Sequence, residues 1–178
     1  MNEQKAQIRY DRLAMALHWL VAFLMVLVGL LGLIYDGFPR AQRMFYLNLH
    51  TTLGLVMFGL ILLRVLWRIA RPALPPDPAW SPLVVFTSNL AHKALYALMI
   101  ATPLVGIMAY IWHGRVFNFG FFQLDAGLGS VKWIYEPAEE IHEFLAFSLM
   151  GLVGLHIVGA LWHHFVARDG IFRRILPH

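Results

Sequence analysis

Apolar positions along the chain gather into four long runs, and the polar positions gather between them. A membrane-crossing helix needs about 20 consecutive apolar residues, and each run is at least that long. The pattern predicts helices over residues 12–35, 45–69, 87–112 and 138–166. The first run stops at Asp36, Gly37 and Pro39. The second stops at a connector carrying Arg71, Pro72, Pro75, Pro76, Pro78 and Pro82. Proline cannot continue a helix interior, so this stretch reads as an extended linker. Pro103 lies inside the third run and predicts a kink, which packed neighbouring helices tolerate. The longest loop, residues 113–137, is rich in glycine and aromatics. The fourth run contains Glu140 to His164, EIHEFLAFSLMGLVGLHIVGALWHH, with no proline. The expected architecture is all-α: an integral membrane four-helix bundle, folded as one domain over residues 1–178.

Composition agrees. Of 178 residues, 60% are hydrophobic and only 13% charged, and the mean hydropathy is +0.64. These values lie outside the usual soluble range and imply a lipid bilayer as the surrounding medium. There is no cysteine, which excludes disulfides, thiolate metal sites and cysteine-held iron–sulfur clusters. No cleavable signal pattern precedes the first run, and no nucleic-acid motif is present. The lysines and arginines report topology. Ten (Lys5, Arg9, Arg12, Arg64, Arg68, Arg71, Lys93, Arg168, Arg173 and Arg174) fall on the side of the chain ends and the proline-rich connector. Four, Arg40, Arg43, Arg115 and Lys132, fall on the other. The positive-inside rule then places both termini in the cytoplasm of a multi-pass protein. Trp112, Trp133 and Tyr135 suit the outer interface; Trp67 and Trp162 suit the inner one.

Histidines inside such runs are costly without a partner. His142 and His156 are 14 residues apart on the fourth run, on nearly one face and separated by about 21 Å. His18 lies about 8 Å in from the inner surface and His156 about 9 Å. His50 lies about 8 Å in from the outer surface, level with His142. One histidine pair therefore sits near each surface, and both pairs use the fourth helix. A single membrane histidine is ordinarily satisfied by a serine or a carbonyl. Four at matched depths point instead to two haem irons, each with two axial imidazoles. Gly29, Gly32 and Gly54 offer room for a porphyrin face. Arg64, 14 residues after His50, shares its face at the inner level. There it either meets a haem propionate or snorkels to the headgroups. His92 reads as an interface or propionate contact at the membrane edge, with axial ligation as the rival reading. His163 shares the face of His156 and can reach the inner haem edge. His164 suits the helix dipole, and His113 and His178 read as solvated.

These pieces resemble the bacterial cytochrome b561 family. The matching stretches are RYDRLAMALHWL around His18, LNLHTTLG around His50, LLRVLWRIARP with Arg64, AHKALYALMIATPLVG, and IHEFL with LHIVGALWHHF around His142 and His156. The resemblance implies two b-type haems ligated by His18, His50, His142 and His156. It also implies electron transfer across the bacterial inner membrane and exchange with quinone. Some members are similar to superoxide oxidases, which pass electrons from superoxide to ubiquinone. Others are similar to cytochrome b subunits of hydrogenases and dehydrogenases, with a redox protein as donor. The expected function is superoxide oxidation at the outer face with ubiquinone as acceptor; the dehydrogenase subunit is the alternative. With both axial positions filled, the irons suit outer-sphere transfer. Arg40, Arg43, Arg115 and Lys132 are candidates for steering an anionic donor, and Trp112 and Trp133 for a quinone contact. A haem-free transporter is the remaining class; such proteins often show repeated halves, and none is evident in the sequence.

Overall fold

The computed structural model describes residues 9–71, 74–76 and 80–176. Lys5, Pro72, Pro78 and His178 lie outside the described residues. Four helices are long and apolar enough to cross a membrane: α1 (Arg12–Ile34), α2 (Arg40–Ala70), α3 (Pro82–Trp112) and α4 (Lys132–Trp162). The last runs on into a π-helical turn, His163–Ala167. The loop between α3 and α4 holds a two-stranded antiparallel hairpin, β1 (Phe117–Asn118) and β2 (Gln123–Leu124). Asn48 Nδ2 of α2 donates to the Asn118 carbonyl at 2.9 Å, and Asn118 N–H donates back to Asn48 Oδ1 at 3.3 Å.

Three helices begin earlier than hydrophobicity alone indicates, because their first turns are polar and set by local chemistry. Pro39 precedes α2 with φ −54°. Ser81 caps α3, its side chain accepting from Val84 N–H, and Pro82 takes the first helical position, where no N–H is missed. In α4 the opening turns carry the Lys132–Glu136 pair at 3.3 Å, and the helix runs through Pro137. Likewise α3 is continuous through Pro103.

The helices pack chiefly as two pairs, α1 with α2 and α3 with α4, joined along α2 and α3. The buried core consists of Val21, Leu24, Met25, Val28, Met57, Ile61, Leu95, Met99 and Leu149. On every helix these residues fall between the inner and outer histidine levels. The middle of the bundle is therefore an apolar partition between two histidine-bearing ends.

Both described chain ends meet at one end of the bundle. Tyr10 N–H donates to the Arg174 carbonyl at 3.1 Å, and Trp19 Nε1–H donates to the Ile175 carbonyl at 2.9 Å. Asp11 ties α1 to α2: its carboxylate accepts from Ala14 N–H at 2.9 Å and from Trp67 Nε1–H at 3.1 Å. The Ala14 N–H, helped by the Trp67 indole, holds this carboxyl below its usual value of 3.8. A depressed folded pKa stabilises the fold above the unfolded pKa, and that contribution is lost as pH falls through the folded value. Asp11→Ala should therefore cost about 1 kcal/mol at neutral pH. The difference from the parent should close on acidification through that range, as read by thermal unfolding in detergent.

Candidate functional site

His50 of α2 and His142 of α4 face each other, with ring centroids 6.2 Å apart and ring planes at 82°. Two imidazoles on one metal, with bonds of about 2 Å, place their ring centres roughly 6 Å apart. The observed separation fits an iron held between them.

Each ring is fixed from behind by its neighbour within the helix pair. His50 Nδ1 lies 2.9 Å from the Val28 carbonyl of α1, and His142 Nδ1 lies 2.9 Å from the Thr102 carbonyl of α3. A carbonyl can only accept, so Nδ1 carries the hydrogen in both rings and Nε2 keeps its lone pair. This carbonyl bond is the usual device that orients a metal-binding imidazole. A glycine stands one turn beyond each carbonyl. A Cβ at Gly32 would lie 2.8 Å from His50 Cε1, and one at Gly106 would lie 2.7 Å from His142 Cε1 and Nδ1. Only a bare Cα lets the ring settle against the helix. Gly32 thus seats a ligand. Gly29 makes room for Met150, whose Sδ would be 3.1 Å from an added Cβ, while Gly54 meets Val28 at an ordinary 3.7 Å.

The inner end is built from the same registers. On α1, His18 is followed by Val28 after ten residues and Gly32 after fourteen; on α3, His92 is followed by Thr102 and Gly106 at the same intervals. On α2, Arg64 follows His50 by fourteen; on α4, His156 follows His142 by fourteen. The halves keep His18 with His92, Gly32 with Gly106 and His50 with His142, and differ at Val28 with Thr102 and Arg64 with His156. His18, His92, His156 and Arg64 form one electrostatic neighbourhood at the inner level. The early start of α3 places His92 about three turns into the helix. Its ring stands edge-to-face with His156 at 5.4 Å, and its Nδ1 lies 2.7 Å from the Ser88 carbonyl. The Nε and Nη1 of Arg64 are buried and without a hydrogen-bond partner among the described residues. Its guanidinium lies 5.9 Å from the Tyr96 ring centre. A buried cation with free donors fits an anionic group.

The remaining candidates separate. His113 is partly buried and its ring lies 4.3 Å from that of Tyr135, tilted by 37°, so it is not simply solvated. Three outer cations are already paired: Arg43 with Asp36 at 3.5 Å, Arg115 with Glu139 at 3.3 Å, and Lys132 with Glu136. Arg40 is exposed and has no carboxylate partner among the described residues. Trp133 is exposed at its helix start, and Trp112 is partly buried.

The family model for prokaryotic cytochrome b561 matches residues 9–178. The chain belongs to the prokaryotic cytochrome b561 family. Among its relatives, cytochrome b561 homolog 2 of Escherichia coli is 31% identical over 175 residues, covering 94% of this chain and 91% of the relative. A Yersinia pestis protein named probable superoxide oxidase CybB is 29% identical over 171 residues, covering 95% and 96%. Cytochrome b561 homolog 1 of Escherichia coli is 25% identical over 174 residues, covering 95% and 97%. Family membership brings haem b and transmembrane electron transfer to a bacterial membrane protein. In this cytochrome, the outer imidazoles and the unpartnered Arg64 fit that group in donor chemistry and in spacing.

Proposed function

We propose that this cytochrome carries electrons from superoxide at the outer face to ubiquinone, through two haem b groups. It would do so in the bacterial inner membrane with both termini cytoplasmic. His50 and His142 would hold the outer iron and His18 and His156 the inner one, with Arg64 on an inner propionate. The observation that carries this reading is the outer pair, opposed at 6.2 Å with each Nδ1 already bound to a carbonyl. For the inner iron, His156 has two neighbours, His18 and His92. The family resemblance and the matched depth favour His18. His92 then faces the haem edge as a supporting side chain.

Bound haem supplies one-electron exchange between its two iron states. The chain's own residues do the rest. The carbonyl-anchored rings fix the ligands before haem arrives, so little reorganisation accompanies a change of charge. With two imidazoles for each iron, the chain would leave oxygen no coordination site. The buried core between the two levels is apolar and offers a proton no relay. At the outer end Arg40 is the cation left to attract an anionic donor. The Yersinia pestis relative's name supports superoxide as that donor.

The test is a spectrum of the purified protein followed by successive additions. Two low-spin haems b per chain, reduction by superoxide and reoxidation by ubiquinone are expected. Inertness toward superoxide, combined with reduction by a co-purifying redox subunit, would replace this reading with the dehydrogenase subunit.

A further inference from the structure

We infer that the hairpin of residues 116–124 is a wedge in the outer leaflet, with its aromatic tip packed among lipids where headgroups meet acyl chains, beside α2.

The depth of the hairpin is set by α2. Asn48 and Thr52 are one turn apart and bracket His50, about 5 and 10 Å below Phe45, where the apolar run begins. Both hold Asn118. Asn48 does so through its reciprocal pair of bonds, and the Thr52 hydroxyl donates to the same Asn118 carbonyl at 3.3 Å. The turn that follows, residues 119–122, is thereby kept near the level of the outer imidazoles. Interfacial segments bury an apolar face to a similar depth, about 5–10 Å. Phe45, Asn48, Thr52 and Val56 are spaced three and four apart and share one face of α2. Phe45 and Val56 are exposed on a helix that spans the membrane, so they meet lipid. The hairpin covers the two polar positions of this stripe and continues its apolar surface.

Irregular backbone near hydrocarbon needs partners for its polar groups, and here they come from the hairpin itself and from α2 and α3. Phe117 and Asn118 pair with Leu124 and Gln123 in the ladder. Phe119 N–H donates to the Phe122 carbonyl at 3.0 Å, and Gly120 N–H donates to Asn118 Oδ1 at 2.9 Å. The Val116 carbonyl accepts from the Tyr110 hydroxyl at 3.1 Å.

The outward surface is apolar. Phe121, at the tip, is 89% exposed, and Phe122 and Leu124 are exposed beside it. The Phe119 ring stacks on that of Phe122 at 4.5 Å, while Phe117 is buried against Tyr110. In water Phe121 would contribute nothing; in lipid it contributes the transfer of a whole aromatic side chain. No charged residue occurs from 116 to 124. The tip therefore offers no complement to a charged redox partner, and its chemistry matches lipid.

The experiment uses haem-loaded protein in nanodiscs of phosphatidylethanolamine and phosphatidylglycerol, which leave both faces open to solution. The chain has no cysteine, so Phe121→Cys takes a single nitrobenzoxadiazole fluorophore. Val56→Cys supplies a lipid reference and Ala126→Cys, at an exposed loop position, a water reference. Dithionite, a charged reductant excluded from hydrocarbon, should bleach the label at 121 more slowly than the label at 126 by roughly tenfold or more. Lipids carrying a nitroxide on the acyl chain should quench the label at 121 as they quench the one at 56. Leu124→Cys, on the same apolar edge, repeats both measurements at a second site. Bleaching at 121 and 124 as fast as at 126 would place the tip in water and overturn the wedge. Slow bleaching without quenching by the nitroxide lipids would mean that protein, such as a second copy of the chain, covers the tip, and would overturn it equally.

Discussion

His142→Ala is expected to halve the haem content of the purified protein, leaving one low-spin haem b per chain. His142 and His50 are the imidazoles opposed at the outer level, and removing one leaves an iron with a single axial bond and an open position. The inner group draws on residues fourteen positions away along α2 and α4, across the apolar partition, so its ligation should survive. His50→Ala should give the same product by the same logic. Both variants should lose superoxide-driven reduction of the remaining haem, because the outer relay is gone, yet a small membrane-permeant reductant should still reduce it. Quantitative extraction of haem, with the low-spin spectrum as a second readout, checks this. Two haems retained in His142→Ala would show that this pair is not the outer ligand set.

The second large effect concerns residues that touch no iron. Gly106→Ala puts a methyl 2.7 Å from His142 Cε1 and Nδ1, and Gly32→Ala puts one 2.8 Å from His50 Cε1. No real Cβ tolerates such a contact, so each ring must leave its carbonyl anchor. Losing the partner that orients a metal-bound imidazole commonly weakens metal retention by about 10–100-fold. The outer haem should accordingly transfer to an excess of a haem scavenger faster by that factor, while the inner haem is unaffected. Gly159→Ala is the matched control. Nothing lies within 4 Å of a Cβ there, and removing a helical glycine should add roughly 1 kcal/mol of helix stability. Equal haem retention in all three variants would remove the seating role.

Much of this was legible before any coordinates. Four apolar runs gave four spanning helices, and the two histidines set level by depth, His50 and His142, have rings 6.2 Å apart. The helix starts were misjudged because Pro39 and Ser81 with Pro82 act through φ preference and capping, and Lys132 through its pair with Glu136, none of which hydrophobicity registers. The contact of His92 with His156 was not foreseen, because it depends on how α3 packs against α4. Val28 and Thr102 could not be singled out from sequence, since every residue has a carbonyl and only packing selects one. Gly106 was within reach: it stands fourteen residues after His92, as Gly32 does after His18.

The apolar middle of the bundle also has an energetic consequence for the cell. The buried core between the two levels, Ile61 among it, is apolar and gives an ion following the electron no polar footing. Each turnover in the proposed orientation therefore moves uncompensated negative charge inward, against a potential that is negative inside. That opposition amounts to about 2.3 kcal/mol per electron for every 100 mV. A fully energised membrane would throttle the protein, and a discharged one would release it.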